Sequence, residues 1–242
     1  MKPGKLLGRL LFPPCCIICG APLTGDEILC GGCKQYLNHP AGRKRCPVCF
    51  LSTDRCGCGK RLYYEQVAAP FLRDTPAKRT VDRMKFRNRL DLIRPLAQCM
   101  KYALDERDMT AKPDLITYIP MDRKKEKKRG YNQAALLARE LSELTNLPCV
   151  PLLEKYIETP TLHETESRLN RPGALLGAYE PVREAIPAFE GKNVLLTDDI
   201  VTTGATFNEA AKTLMIFGAN KVYGAAAMLT PKTNSRSKAM QK

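Results

Sequence analysis

The chain has 242 residues, 44% of them hydrophobic, and a formal net charge of +14. That composition supports a core of ordinary size and excludes global disorder, while no apolar run reaches the ~18–20 residues that cross a bilayer. The positive balance favours polyanionic partners such as phosphates or nucleic acid.

The leading segment, Met1–Phe12, carries basic residues and a short apolar run broken by Gly8 and Arg9. No small-residue cleavage site follows it, so it reads as an amphipathic helix rather than an export signal, and the expected location is cytoplasmic. Eleven cysteines are present, nine of them before residue 60. They come in close pairs, Cys16-x2-Cys19 with Cys30-x2-Cys33, then Cys46-x2-Cys49 with Cys56-x-Cys58. Two thiolates two residues apart can grip one ion from a tight turn, and four complete the closed shell of a structural Zn²⁺. One or two ions fit the count, paired sequentially or interleaved, and Cys15 could stand in for Cys16. Residues 1–62 are therefore expected to form a zinc-stabilised ribbon with its leading segment.

Residues 63–230 read as an α/β domain, and 231–242 as a basic flexible tail. Thr80–Leu104 is mostly helical in pattern. Leu115–Pro120 is a short buried strand ending at proline, and a basic loop, Asp122–Gly130, follows it. Asn132 can cap the next helix, Asn132–Leu144, whose Ala134, Leu137, Ala138 and Leu141 share one apolar face. Cys149–Leu153 is a strand candidate, and Glu158–Gly177 a long loop. Asn193–Thr197 is a strand, Phe207–Phe217 a helix with Phe207, Ala210, Ala211 and Leu214 inward, and Lys221–Leu229 a final strand. Strands alternating with helices imply a mainly parallel sheet.

The segment Val194–Thr206, VLLTDDIVTTGAT, carries the chemistry. An apolar strand ends at Asp198 and Asp199. The loop Thr202, Thr203, Gly204, Ala205 and Thr206 then opens a helix. A helix N-terminus offers free amides and partial positive charge to a phosphate. Gly204 permits close backbone approach, and the threonines add hydroxyls. The carboxylates suit vicinal hydroxyls, so the expected ligand is a sugar phosphate. The GxxxxGK[ST] pattern is absent, which disfavours a P-loop triphosphatase.

This segment resembles the phosphoribosyl pyrophosphate (PRPP) motif of type I phosphoribosyltransferases. The stretch YIPMDRKKEKKRGYNQAALLARELS and the Met84-Lys85-Phe86 triplet resemble signatures of the ComF/ComFC family, as does the cysteine-rich N-terminus. The resemblance implies a type I phosphoribosyltransferase sheet with a small N-terminal double zinc ribbon. It implies PRPP and Mg²⁺ as ligands, with Asp198 and Asp199 on the ribose hydroxyls and Thr202–Thr206 on the 5′-phosphate. Lys127, Lys128, Arg129 and Gly130 would lie on the pyrophosphate side, with Asn132 and Gln133 orienting that loop. It further implies pentosyl transfer and a role in DNA uptake during natural competence. The competing expectation is a non-catalytic PRPP sensor that binds single-stranded DNA or docks on a competence helicase. Two departures stand out: lysine at 127, where the family often has arginine, and Thr159–Arg171, which matches the family's flexible loop only loosely.

Overall fold

The computed structural model describes residues 14–37, 46, 62–155 and 178–230. The leading segment, Cys49, Cys56 and Cys58, the Glu158–Gly177 loop and the basic tail lie outside the described residues.

Six parallel-running segments build the main sheet and its margin. Strand β3 (Leu115–Tyr118) pairs with β6 (Asn193–Val201), β6 with β7 (Lys221–Leu229), and β7 with the short β1 (Val67–Ala68) and β2 (Phe71–Leu72). Cys149 extends the margin through a single parallel bridge to Ile116. Successive residues of a strand face opposite layers. Leu195, Tyr223, Ala225 and Ala227 accordingly join one core, while Val194, Leu196, Val222 and Ala226 join the other.

The first core is covered by α2 (Lys78–Phe86), α3 (Ile93–Asp105) and α5 (Gln133–Thr145). The stretch Thr80–Leu104 is mostly helical, as expected, and forms two helices separated where Asn88 takes a positive φ of 51°. The second core is covered by α7 (Ala205–Ile216) and the short α6 (Ile186–Phe189). Both expected apolar faces are inward: Leu137, Ala138, Leu141, Ala210, Ala211 and Leu214 have no exposed surface. The strand expected at Cys149–Leu153 is displaced. Strand β4 is Leu153–Lys155, paired antiparallel with β5 (Tyr179–Pro181) in a separate two-stranded sheet.

The basic loop expected at Asp122–Gly130 is a helix, α4 (Arg123–Arg129). Asp122 caps it by accepting hydrogen bonds from the amides of Lys124 and Lys125 at 3.0 and 3.2 Å. Lysine, arginine and glutamate are good helix formers, and cations suit the C-terminal end of the dipole. Gly130, at φ 87°, closes it in the left-handed conformation.

At the N-terminal end, Ile17, Ile18, Leu23 and Leu29 pack into the same core as Val81, Met84 and Leu96. The buried Thr80 hydroxyl donates to the Ile17 carbonyl at 2.6 Å.

Candidate functional site

Cys16, Cys19, Cys30 and Cys33 bring their Sγ atoms within 4.8 Å of one another, and Cys19 and Cys30 approach to 3.6 Å. A tetrahedral Zn²⁺ with Zn–S bonds of about 2.3 Å needs sulfur–sulfur edges of about 3.8 Å, so the set fits such an ion. Gly20, at φ 78°, turns the first knuckle, and the short helix α1 (Gly31–Lys34) carries Cys33 in the second. Cys15 is exposed and outside the cluster, so Cys16 is the residue that joins it. Burial raises the Cys16 thiol, but backbone donors at Cys19, Cys30 and Ile18 outweigh this and bring it down to about 6. Burial and the neighbouring sulfurs push Cys33 up. A cation at the centre would relieve that crowding. Cys46 is buried.

The second site is a cleft of about 310 Å³ at the carboxyl ends of β3 and β6, where open α/β sheets bind their ligands. Asp198 and Asp199 sit on its floor. Strand β6 runs on past the expected Thr197 to Val201, so the acids lie within the strand rather than after it. Burial pushes the Asp198 carboxyl well up, and the adjacent Asp199 charge adds to this. The Asp199 amide donates to Asp198 Oδ1 at 2.8 Å. Tyr179 is pushed up to about 12 by burial and by the charges of Asp198 and Glu209.

The loop beyond the acids is surface-accessible, with Thr202, Thr203, Ala205 and Thr206 exposed. Gly204 stands at the N-cap of α7 with φ 74°. A Cβ there would come within 3.2 Å of the Tyr64 hydroxyl, so both the conformation and the space favour glycine. Thr203 Oγ1 accepts from the Ala205 amide at 3.3 Å. Of this loop, Thr206 lines the cleft.

The facing wall is cationic. Lys85, Lys125, Arg129 and Lys155 line it, and Lys85 Nζ sits 2.8 Å from Asp199 Oδ2. Of the four basic-segment residues singled out in the sequence, Arg129 reaches the cleft. Lys127 and Lys128 are exposed on α4 away from its lining, and Gly130 serves as the helix cap. Lys125, one turn before Arg129, lines the cleft as well. A helical reading of the run would have found it. The sequence places Lys85 only within the Met84-Lys85-Phe86 triplet; its position next to an acid pair is a tertiary fact with no local sequence signal.

The two signatures are joined by contacts. Tyr131 Oη donates to the Met84 carbonyl at 2.8 Å, and the Arg129 guanidinium lies 5.7 Å from the Phe86 ring centroid. Asn132 donates to the Ile119 carbonyl at 3.0 Å while accepting from the Ala134 amide. It thereby ties the start of α5 to the end of β3.

No helix among the described residues is long and apolar enough to cross a membrane. No family model matches the chain. Competence protein F of Haemophilus influenzae is 27% identical over 226 residues, covering 86% of this chain and 93% of that protein. DNA utilization protein YhgH of Escherichia coli O157:H7 is 28% identical over 229 residues, covering 88% and 96%. Competence protein ComFC of Bacillus subtilis is 26% identical over 209 residues, covering 80% of each. Among solved structures, an adenine phosphoribosyltransferase is 23% identical, with a TM-score of 0.39 over 64% of this chain and 78% of that one. The allosteric regulatory enzyme of purine biosynthesis is 18% identical, with a TM-score of 0.38 over 56% of this chain. The chain spans 25% of that enzyme's length. The α/β assignment rests on the parallel sheet itself rather than on these scores. Over most of its length, this mixed α/β chain, with a four-cysteine cluster near its N-terminus, is thus homologous to proteins named competence protein F, ComFC and DNA utilization protein YhgH.

Proposed function

We propose that the cleft binds PRPP with Mg²⁺, that the chain is a phosphoribosyltransferase, and that it works in DNA uptake during natural competence. The supporting observation is the passage from the acid pair on β6 into the exposed threonine–glycine loop opening α7, faced by Lys85, Lys125, Arg129 and Lys155. Asp198 and Asp199 accept hydrogen bonds from the ribose hydroxyls. Thr202–Thr206 and the first amides of α7 hold the 5′-phosphate. The cationic wall takes the pyrophosphate, with Arg129 and Lys125 replacing Lys127 and Lys128 as its nearest helical contacts. Asp199 already accommodates one positive charge, the Lys85 ammonium, so the oxygens of the acid pair suit a cation. Mg²⁺ bound with the ligand supplies neutralisation of the pyrophosphate charge. Pentosyl transfer builds positive charge on the sugar ring, and the two carboxylates lie where they can offset it. Calorimetry with PRPP and Mg²⁺ tests the reading: binding is expected, and the Asp198→Ala/Asp199→Ala double variant should abolish it. A wild-type protein that does not bind PRPP would sink it.

A second reading, direct binding of single-stranded DNA, is favoured by α2. Arg79 and Arg83 lie one turn apart on its exposed face, and Arg87 follows one turn on. They line a hollow of about 290 Å³ with Asp82 and Phe86, which is 72% exposed. A row of cations beside an accessible ring suits a backbone with unstacked bases. Oligonucleotide binding should weaken with salt, and Arg79→Glu/Arg83→Glu/Arg87→Glu should flatten the log–log slope by about 2. An unchanged slope would reject this surface.

A further inference from the structure

Gln133 is fully buried at the first position of α5, and it lines the cleft. Its Oε1 accepts a hydrogen bond from Arg129 Nη1 at 2.9 Å. A guanidinium has donors only, so this contact fixes which end of the amide faces it. The other end, Nε2, is buried without a hydrogen-bond partner. Its neighbour shows the contrast: Asn132 engages both ends of its amide, through Ile119 and the start of α5. Among the described residues, the hydroxyls of Thr197 and Thr230 share the unpartnered state, but neither residue lines the cleft. Buried amide donors are almost always satisfied in native proteins. An orphan one held in a defined orientation at a ligand cleft has a ready explanation in the ligand.

We infer that Gln133 contacts the ligand directly, its Nε2 donating to an oxygen of the anionic group held by Arg129 and Lys125. The inference rests on the PRPP reading and assigns Gln133 to the pyrophosphate end. Arg129 then has two roles: it presents charge to the anion and aligns the glutamine amide. The site would thereby distinguish a group rich in acceptor oxygens from a merely negative one, because a donor with fixed direction demands an acceptor in one place.

The test uses the full chain and three probes: PRPP with Mg²⁺, pyrophosphate with Mg²⁺, and ribose 5-phosphate. Gln133→Glu keeps the size and the acceptor for Arg129 but removes the donor; Gln133→Met removes the donor without adding charge. Both variants should lose about tenfold or more in affinity for PRPP and for pyrophosphate. Ribose 5-phosphate affinity should be unchanged, and the Gln133→Glu thermal midpoint should not fall. Wild-type affinity for PRPP in either variant would overturn the assignment. So would an equal loss for ribose 5-phosphate, or a loss that tracks a lowered midpoint in Gln133→Glu, since either would mark a structural role. Failure of the wild type to bind PRPP or pyrophosphate would overturn the PRPP reading and this inference together, a result distinct from failure in the variants alone.

Discussion

An alanine at Gly224 would carry its Cβ to 2.5 Å from Phe207 Cζ and 2.8 Å from Val67 Cγ2. Carbon atoms rest at about 3.5–4.0 Å, so something must shift by about an ångström. Neither neighbour has room, since Phe207 and Val67 are buried to 1% and 0% exposure. The Phe207 ring also stands edge-on to Tyr64, 5.1 Å between centroids. Overpacking of this kind costs about 1–3 kcal/mol. The reduced freedom of the unfolded chain offsets about 0.4–1 kcal/mol of that. A net loss of about 1–2 kcal/mol is expected in denaturant titration. Phe207 follows Thr206 in the first turn of α7, so the same push reaches the loop, and PRPP affinity should fall as well. Phe207→Leu removes the clashing ring atoms. The Gly224→Ala/Phe207→Leu double variant should therefore be more stable than the sum of its single losses by about 1 kcal/mol. Wild-type stability in Gly224→Ala, or strict additivity in the double variant, would refute the reasoning.

The raised carboxyl of Asp198 has a signed consequence. A carboxyl whose folded value exceeds its unfolded one holds its proton better in the native state, so its contribution to stability is present below the unfolded value and lost as pH rises through the folded value. Asp198→Asn should therefore raise stability at pH 7 and leave it nearly unchanged near pH 3, while weakening PRPP binding; thermal melts across that range check the sign. Cys16→Ser should release the ion of the first cysteine cluster, whereas Cys15→Ser should retain it, as read by elemental analysis of the purified proteins. Tyr131→Phe should cost about 1 kcal/mol through loss of the bond to the Met84 carbonyl, and it should weaken PRPP binding by loosening Lys85; denaturation and calorimetry on the same variant measure both effects.

What local chemistry decides was legible in the sequence. Strand β7 spans the expected Lys221–Leu229, because its apolar run begins after Gly218 and ends before a polar tail. The N-cap role of Asn132 is set by its own side chain and appears as expected. In the Asp122–Gly130 run, charge without apolar periodicity resembles a solvated loop, yet the segment is helical. Its helix is held by a cap, by propensity and by a terminal glycine, all of them local, and weighing Asp122 as a cap would have recovered it. Other features needed the third dimension. The Lys85–Asp199 pair joins residues from α2 and β6, and the unpartnered amide of Gln133 emerges only once Arg129 has taken the other end. The choice of Cys16 over Cys15 likewise follows from which sulfur faces inward, which spacing alone leaves open.

The bond from Thr80 to Ile17 crosses from helix α2 to the cysteine knuckle, and five residues further along that helix stands Lys85. The knuckle therefore behaves as a keystone rather than a pendant. A metal ion held there would enter the stability of the whole unit by mass action, as RT ln(1 + [M]/Kd). A fragment beginning at Leu62 would leave the apolar neighbours of Ile17 and Ile18 facing water. Chelation should then reach the cleft before it unfolds the sheet: the register of α2 slackens first, and with it the lysine that guards the acid pair.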